Sequence, residues 1–242
     1  MQHFISDLHL SAQRPDLVRA FVDYTQNQLQ DADALYIMGD WFEYWIGDDA
    51  EDPALQTVFN ALTAIKGQRP TYFVHGNRDF LIGSAFADRY EITLLPEASV
   101  QTIADHPILL LHGDSLCTDD PAYQAFRQSV RDPDWQQEFL VQSVEDRRLI
   151  AEQARAMSKT DSARKSDDIM DVNPQAVINL LNQFNVTEMI HGHTHRPAVH
   201  NIDHEGCTLT RHVLPDWDQT GFYTIADTQG IRHEVLPLPS ET

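Results

Sequence analysis

A chain of 242 residues is long enough to bury a sizeable core as one domain. Its 37 acidic against 17 basic residues give a formal charge of -20, which disfavours nucleic-acid binding and broad attachment to an anionic surface. Two cysteines, Cys117 and Cys207, are too few for a disulfide scaffold and read as free thiols in a reducing compartment. The chain opens almost directly on an apolar strand, and no apolar run approaches the roughly 20 residues of a membrane span. A cytoplasmic protein is expected, one domain over 1–242. Six of the 17 basic residues fall between Arg147 and Lys165, a local exception to the acidic balance.

In chain order, His3 to Ser6 reads as a strand, and Asp16 to Leu29 as a helix with Leu17, Phe21 and Tyr24 on one face. Leu35 to Met38 is a buried strand. Pro53 opens a helix whose stripe is Leu55, Val58, Phe59, Leu62 and Ile65. Thr71 to Val74 and Ile108 to Leu111 are further strands, so strand and helix alternate as in a mixed or parallel sheet covered by helices. Residues 119–170 are polar and helical in character, with sparse apolar anchors at Phe126, Trp135, Phe139, Leu140, Val144, Leu149 and Ile150. This stretch is expected to be a helical cap inserted over the site. Asn173 and Pro174 start an amphipathic helix, with Val177, Leu180, Leu181 and Phe184 inward. From Thr187 onward short strands dominate, with turns at Gly206, Gly221 and Gly230, and a second sheet is expected there.

The polar motifs follow these strands. They are Asp7-Leu8-His9, Gly39-Asp40, Gly76-Asn77-Arg78-Asp79, His112-Gly113-Asp114 and Gly192-His193-Thr194-His195. Ligands of mixed sheets gather at the carboxyl ends of strands, so five such ends can deliver carboxylate, amide and imidazole to one point. That donor set suits manganese-like or zinc-like ions. Two ions held together make a hydrolytic centre for phosphate esters or anhydrides. Each glycine lets the backbone approach closely or turn unusually. Asp79 and Asp114 are read as groups that orient Arg78 or the histidines.

The order Asp-x-His, Gly-Asp, Gly-Asn, His-Gly-Asp and Gly-His-x-His resembles the calcineurin-like metallophosphoesterases over residues 5–195. The resemblance implies an α/β fold, a sandwich of two mixed β-sheets flanked by helices. It implies one metal site of Asp7, His9, Asp40 and His195 and another of Asp40, Asn77, His112 and His193, with Asp40 bridging. The stretches 4–10, 39–48, 75–80 and 191–197 are also similar to the UDP-2,3-diacylglucosamine diphosphatases, the manganese-dependent family of lipid A biosynthesis. That likeness implies cleavage of UDP-2,3-diacylglucosamine to UMP and 2,3-diacylglucosamine 1-phosphate, by metal-activated water attacking the α-phosphorus. It implies two manganese ions, peripheral attachment to the cytoplasmic face of the inner membrane, and no nucleic-acid or obligate protein partner. Asn77, Arg78, Asp120, Ser158, Ser162, Lys165 and His193 would contact substrate, with Asn77, Arg78, His193 and Asp40 at the chemistry. Ser162 departs from the asparagine that related enzymes often carry there.

Much of the superfamily has a histidine after the asparagine, suited to protonating an alkoxide. Here Arg78 follows. A phosphate monoester leaving an anhydride has a second pKa near roughly 6 and departs without a proton, so Arg78 need only neutralise charge. Two acyl chains need an apolar channel, and Trp41, Phe42, Tyr44, Trp45, Ile46, Phe80, Leu81 and Ile82, with the cap's Phe126, Trp135, Phe139 and Leu140, could line it or pack the cap onto the core. The rival readings are a metallophosphoesterase of another nucleotide or phosphate ester, and a non-catalytic binding protein on the same fold.

Overall fold

Alternate residues of each central strand point to opposite layers, and this period of two builds the architecture. The computed structural model describes residues 1–162 and 171–238. One sheet contains β1 (Gln2–Ile5), β2 (Ala34–Ile37), β3 (Thr71–Phe73) and β4 (Ile92–Leu94), all parallel along the chain. The other contains β5 (Ala98–Ile103), β6 (His106–Leu111), β7 (Glu188–His191), β8 (Ala198–His204) and β9 (Cys207–Val213) in the order β5-β6-β7-β9-β8. There β6, β7 and β9 run parallel while β5 and β8 pair antiparallel at the edges. The hairpin β10 (Gly221–Asp227) and β11 (Gly230–Leu236) returns to the first sheet, where β10 pairs antiparallel with β1. The C-terminal strands therefore complete both sheets rather than the second alone.

Ala34, Tyr36 and Met38 meet Ile108, Leu110 and Ile190 in a core between the sheets. The opposite face of β2, Leu35 and Ile37, packs against α1 (Pro15–Asp23), α2 (Gln56–Ile65) and α3 (Ser84–Tyr90). Leu109, Leu111 and Met189 face outward from the second sheet, towards Val177 and Leu181. Two helical layers thus enclose two sheets, the mixed sandwich expected. Local sequence sets the helix starts: Asp52 accepts from Ala54 N at 3.0 Å, and Asn173 Oδ1 accepts from Ala176 N at 3.0 Å. Such a cap stabilises a helix by about 1 kcal/mol. The helix expected over Asp16 to Leu29 changes winding instead, with a π turn at Tyr24–Gln28 and a 3-10 turn at Leu29–Asp31. The stretch Pro53–Leu55 is likewise a 3-10 turn ahead of α2.

Between β6 and β7 lie α4 (Pro121–Arg131), α5 (Pro133–Leu140) and α6 (Val144–Ser162); the last helix of the second face, α7, spans Pro174–Phe184. Of the expected apolar anchors, Trp135, Phe139 and Val144 touch the first core, whereas Phe126, Leu140, Leu149 and Ile150 are exposed. Arginine does much of the anchoring. Arg147 is buried, donates to Ile46 O at 2.6 Å, and pairs with both Asp49 oxygens at 2.8 and 2.6 Å. Among the described residues no helix is long and apolar enough to cross a membrane.

His3, on β1, is buried beside the Tyr24 hydroxyl at 3.2 Å. Burial, reinforced by Arg69, lowers its pKa to about 4 from 6.5. The unfolded chain takes up this proton near 6.5 and the folded chain only near 4, so stability is lost as pH falls through that window. The full effect is at most about 3 kcal/mol. A plot of unfolding free energy against pH is therefore expected to fall less steeply between 6.5 and 4 in His3→Gln than in the parent; parallel profiles would contradict the assignment.

Candidate metal centre and active site

The loops after β1, β2, β3, β6 and β7 knit together through their backbones before any side chain is considered. Asp7 N donates to Gly39 O at 3.0 Å, His9 N to Asp40 O at 3.0 Å, and Gly192 N to His112 O at 2.9 Å. The close approach requires glycine. A Cβ on Gly39, whose φ is +90°, would lie 2.5 Å from His112 Nδ1, and one on Gly192 would lie 2.0 Å from Ser6 Oγ. The ligand candidates themselves are strained. Asp7, His9, Asp40, His193 and His195 have φ of 54°, 49°, 50°, 68° and 54°. The other non-glycine residues of positive φ, Glu91, Ala104, Asp105, Asn185 and Glu205, sit at helix ends and hairpin turns. Left-handed backbone costs a non-glycine residue roughly 1–2 kcal/mol, so its concentration here marks a site.

Side chains converge accordingly. Asp7 is fully buried; its Oδ2 accepts from Ser6 Oγ at 2.6 Å and His193 N at 2.9 Å, while Oδ1 has no hydrogen-bond partner. His195 Nε2 lies 3.4 Å from that free oxygen and 3.3 Å from His9 Nε2. Asp40 Oδ1 accepts from Arg78 N at 2.9 Å and lies 3.7 Å from His112 Nε2. Asn77 Oδ1 sits 3.1 Å from His112 Nε2 and 2.9 Å from His193 Nδ1. Asp7, His9 and His195 form one compact set of donor atoms, and Asp7, Asp40 and His112 a second. Asp7 is common to both sets, and Asp40, the residue the resemblance implies is shared, belongs to the second.

These donors fit two divalent ions. A fully buried carboxylate oxygen without a hydrogen-bond partner, as at Asp7, is a costly arrangement unless a cation completes it. Burial raises the Asp7 pKa, but the His195 ring, 3.4 Å from Oδ1, and the charge of His112 outweigh it, holding the carboxyl well below its usual range. Burial opposes a charge on His195, yet the carboxylates of Asp216, 3.2 Å from its Nδ1, and Asp7, 3.4 Å from its Nε2, prevail and push it to about 10. Burial and the neighbouring His112 lower His193 to about 4, leaving its ring neutral and able to ligate.

No ion pair or hydrogen bond joins the side chains of Asp79 and Arg78. The buried carboxylate of Asp79 accepts from Trp41 N, Gly76 N and Asp40 N at 2.7, 2.9 and 3.3 Å, locking two loops together. Burial and the nearby Asp40 raise its pKa to about 7. Asp114 instead accepts from Arg127 Nε at 2.7 Å and Tyr123 Oη at 3.2 Å, tying α4 to the loop after β6. Arg78 pairs with Glu43, and its Nε lies 3.2 Å from Asp40 Oδ2. Asp120 is nearly buried and caps α4 by accepting from Tyr123 N at 3.1 Å. Ser158 is exposed on α6. Lys165 lies outside the described residues, as does the side chain of Ser162.

A cavity of about 710 Å³ opens beside His9 and His195, with Glu43, Tyr44, Arg155 and Asp216 in its wall. Most of the aromatic cluster cannot line a channel: Trp41, Phe42, Trp45, Ile46, Leu81 and Ile82 are buried in the core. Tyr44, Phe80 and Trp135 remain partly accessible, with Phe80 and Trp135 ring centres 6.4 Å apart. Sequence reasoning missed Asp216, 3.2 Å from His195 Nδ1, and Tyr123, whose ring stacks on His193 at 6.1 Å. Asp216 follows β9, which runs parallel to β7, so a sixth strand end was there to be found.

Residues 3–197 match the family model for calcineurin-like phosphoesterases. A UDP-2,3-diacylglucosamine hydrolase of Proteus mirabilis is 50% identical over 219 residues, covering 90% of this chain and 91% of that one. Those of Cellvibrio japonicus and Shewanella pealeana are 45% and 44% identical, covering 94% and 98% of this chain and 95% and 97% of theirs. The chain belongs to the calcineurin-like phosphoesterase family, with enzymes named for hydrolysis of UDP-2,3-diacylglucosamine among its relatives.

Proposed function

We propose that this protein hydrolyses the pyrophosphate of UDP-2,3-diacylglucosamine, releasing UMP and 2,3-diacylglucosamine 1-phosphate, with manganese as its ion and the cytoplasmic face of the inner membrane as its station. Near-full-length identity to enzymes named for this substrate carries the reading. Asp7, His9, Asp40 and His195 would hold one ion, and Asp40, Asn77, His112 and His193 the other. When bound, the pair supplies a water nucleophile at neutral pH and Lewis-acid neutralisation of phosphoryl charge.

The chain's own residues supply the rest. Arg78 neutralises the charge that accumulates as the bond to the α-phosphorus breaks. Because the departing sugar phosphate is a stable anion, no proton donor is needed at its oxygen. The Asn77 amide turns its oxygen to the ion site and its nitrogen to a phosphoryl oxygen. Asp120, Ser158, Ser162, Lys165 and His193 grip the nucleotide and sugar phosphate. Residues 119–170 act as a cap within a single domain of residues 1–242, and Tyr44, Phe80 and Trp135 offer the acyl chains an apolar wall. The arginine at position 78, in place of a proton-donating histidine, favours an anhydride over an alkyl ester.

Ion binding is separable from turnover. A ligand at 100 times its Kd that binds only the folded state adds about 2.7 kcal/mol. Manganese is therefore expected to raise the unfolding temperature of metal-stripped protein, and the increment should vanish in Asp7→Asn. For the reaction, metal-stripped protein with UDP-2,3-diacylglucosamine in oxygen-18 water should give labelled UMP only when manganese is restored. Manganese-dependent cleavage of simple phosphate esters without UMP release would keep the centre and reject the substrate.

A further inference from the structure

A carboxylate three residues past Asp40 holds two guanidiniums from distant parts of the chain. Glu43 Oε2 pairs with Arg78 Nη1, and Glu43 Oε1 accepts from Arg155 Nε at 3.0 Å. Arg78 belongs to the loop after β3; Arg155 comes from the middle of α6. Arg78 also approaches Asp40, its Nε 3.2 Å from Oδ2 but without hydrogen-bond alignment. Glu43 Oε2 itself lies 4.0 Å from His9 Nδ1, and Glu43 and Arg155 share a cavity wall with His9.

Two carboxylates therefore compete for one guanidinium. Asp40 is buried, whereas the Glu43 side chain is 32% exposed and takes the hydrogen bond. Take away the charge of Glu43, and Arg78 has only Asp40 to pair with. It would then occupy the oxygen that a metal ligand must keep free, and Arg155 would lose its tie to the loop. A guanidinium presents its donors in a fixed fork, so where it is held decides what it can grip.

We infer that Glu43 is a positioning residue, holding Arg78 off Asp40 and coupling it to Arg155 so that the loop after β3 and helix α6 present two guanidiniums to the substrate's phosphoryl groups as one unit. This rests on the proposed phosphate-facing role of Arg78. Loss of such an outer contact typically weakens metal affinity or activity by roughly 10–100-fold.

The test is a double-mutant cycle read by calorimetric manganese titration, which needs no substrate. Glu43→Gln is expected to weaken manganese binding about 10-fold, and to change it less than about twofold when Arg78→Ala is already present. Equal losses in both backgrounds, or no loss in either, would overturn the inference. At saturating manganese, Glu43→Gln should lower kcat/KM for UDP-2,3-diacylglucosamine, with Arg155→Ala adding little to it. Glu43→Asp keeps the charge beside Arg78 but is a methylene too short to span both partners. It should bind manganese like the parent while remaining defective in kcat/KM. A purely structural role would lower the unfolding temperature and leave the losses additive, which also overturns it. If the parent fails to hydrolyse this substrate, the proposed function falls, and the titration cycle still decides the role of Glu43.

Discussion

Burial of four aspartates within one cluster of loops is the constraint on which the rest of the structure depends. Asp7, Asp40, Asp79 and Asp114 are each 2% exposed or less. An ionised carboxylate taken out of water must find charge or hydrogen bonds, and the fold answers differently for each. Asp79 is met by three backbone N–H groups, which makes it a clamp between loops. Asp114 is met by Arg127 and Tyr123, which draws α4 onto the core. Asp7 and Asp40 are satisfied only in part: Asp7 Oδ1 faces His195 Nε2, and Asp40 Oδ2 faces Arg78 Nε without hydrogen-bond alignment and lies 4.0 Å from His9 Nδ1. The two structural carboxylates are closed; the two at the centre are left open to a cation.

The same logic explains how the inserted helices are seated. Arg127 reaches Asp114 and Glu97, Arg131 donates to Gly76 O at 2.9 Å, Arg147 takes Asp49 and Ile46 O, and Arg155 takes Glu43. Three of these partners, Asp114, Gly76 and Glu43, lie in or beside the loops that carry the ligand candidates. Apolar packing by Trp135, Phe139 and Val144 supplements the arginines but does not aim them. An arginine fork fixes direction as well as distance, so α4, α5 and α6 are registered against these loops and not merely stuck to them.

What could be read from the sequence follows from what is local. The motifs Asp7-x-His9, Gly39-Asp40, Gly76-Asn77 and Gly192-His193-x-His195 are short, and each contains the glycine or the strand end that fixes its geometry. The strands β2 and β6 declare themselves by apolar runs, and α7 by its Asn173-Pro174 start. Elements without such signals were missed: β4 is three residues long, β5 mixes Ser99 and Gln101 into its alternation, and the π turn at Tyr24–Gln28 keeps a helical pattern. The aromatic run after Asp40 was ambiguous because packing a core and lining a channel need the same residues. Glu43 was invisible for a different reason: its partner Arg155 is far away in the chain, and a lone acidic residue in an acidic chain carries no pattern.

The left-handed backbone at Asp7, His9, Asp40, His193 and His195 bears on how such a chain can change over generations. Five positions at roughly 1 kcal/mol or more each amount to a large part of the 5–15 kcal/mol that keeps a domain folded. Selection for stability alone would replace these residues with glycine or asparagine, which accept that conformation readily. Each such replacement would relax the backbone while deleting a donor. The centre thus stands against a standing drift, and a copy of this gene released from its duty should lose these five positions early, while Asp79 and Asp114, whose carboxylates hold the fold together, would persist in it longer.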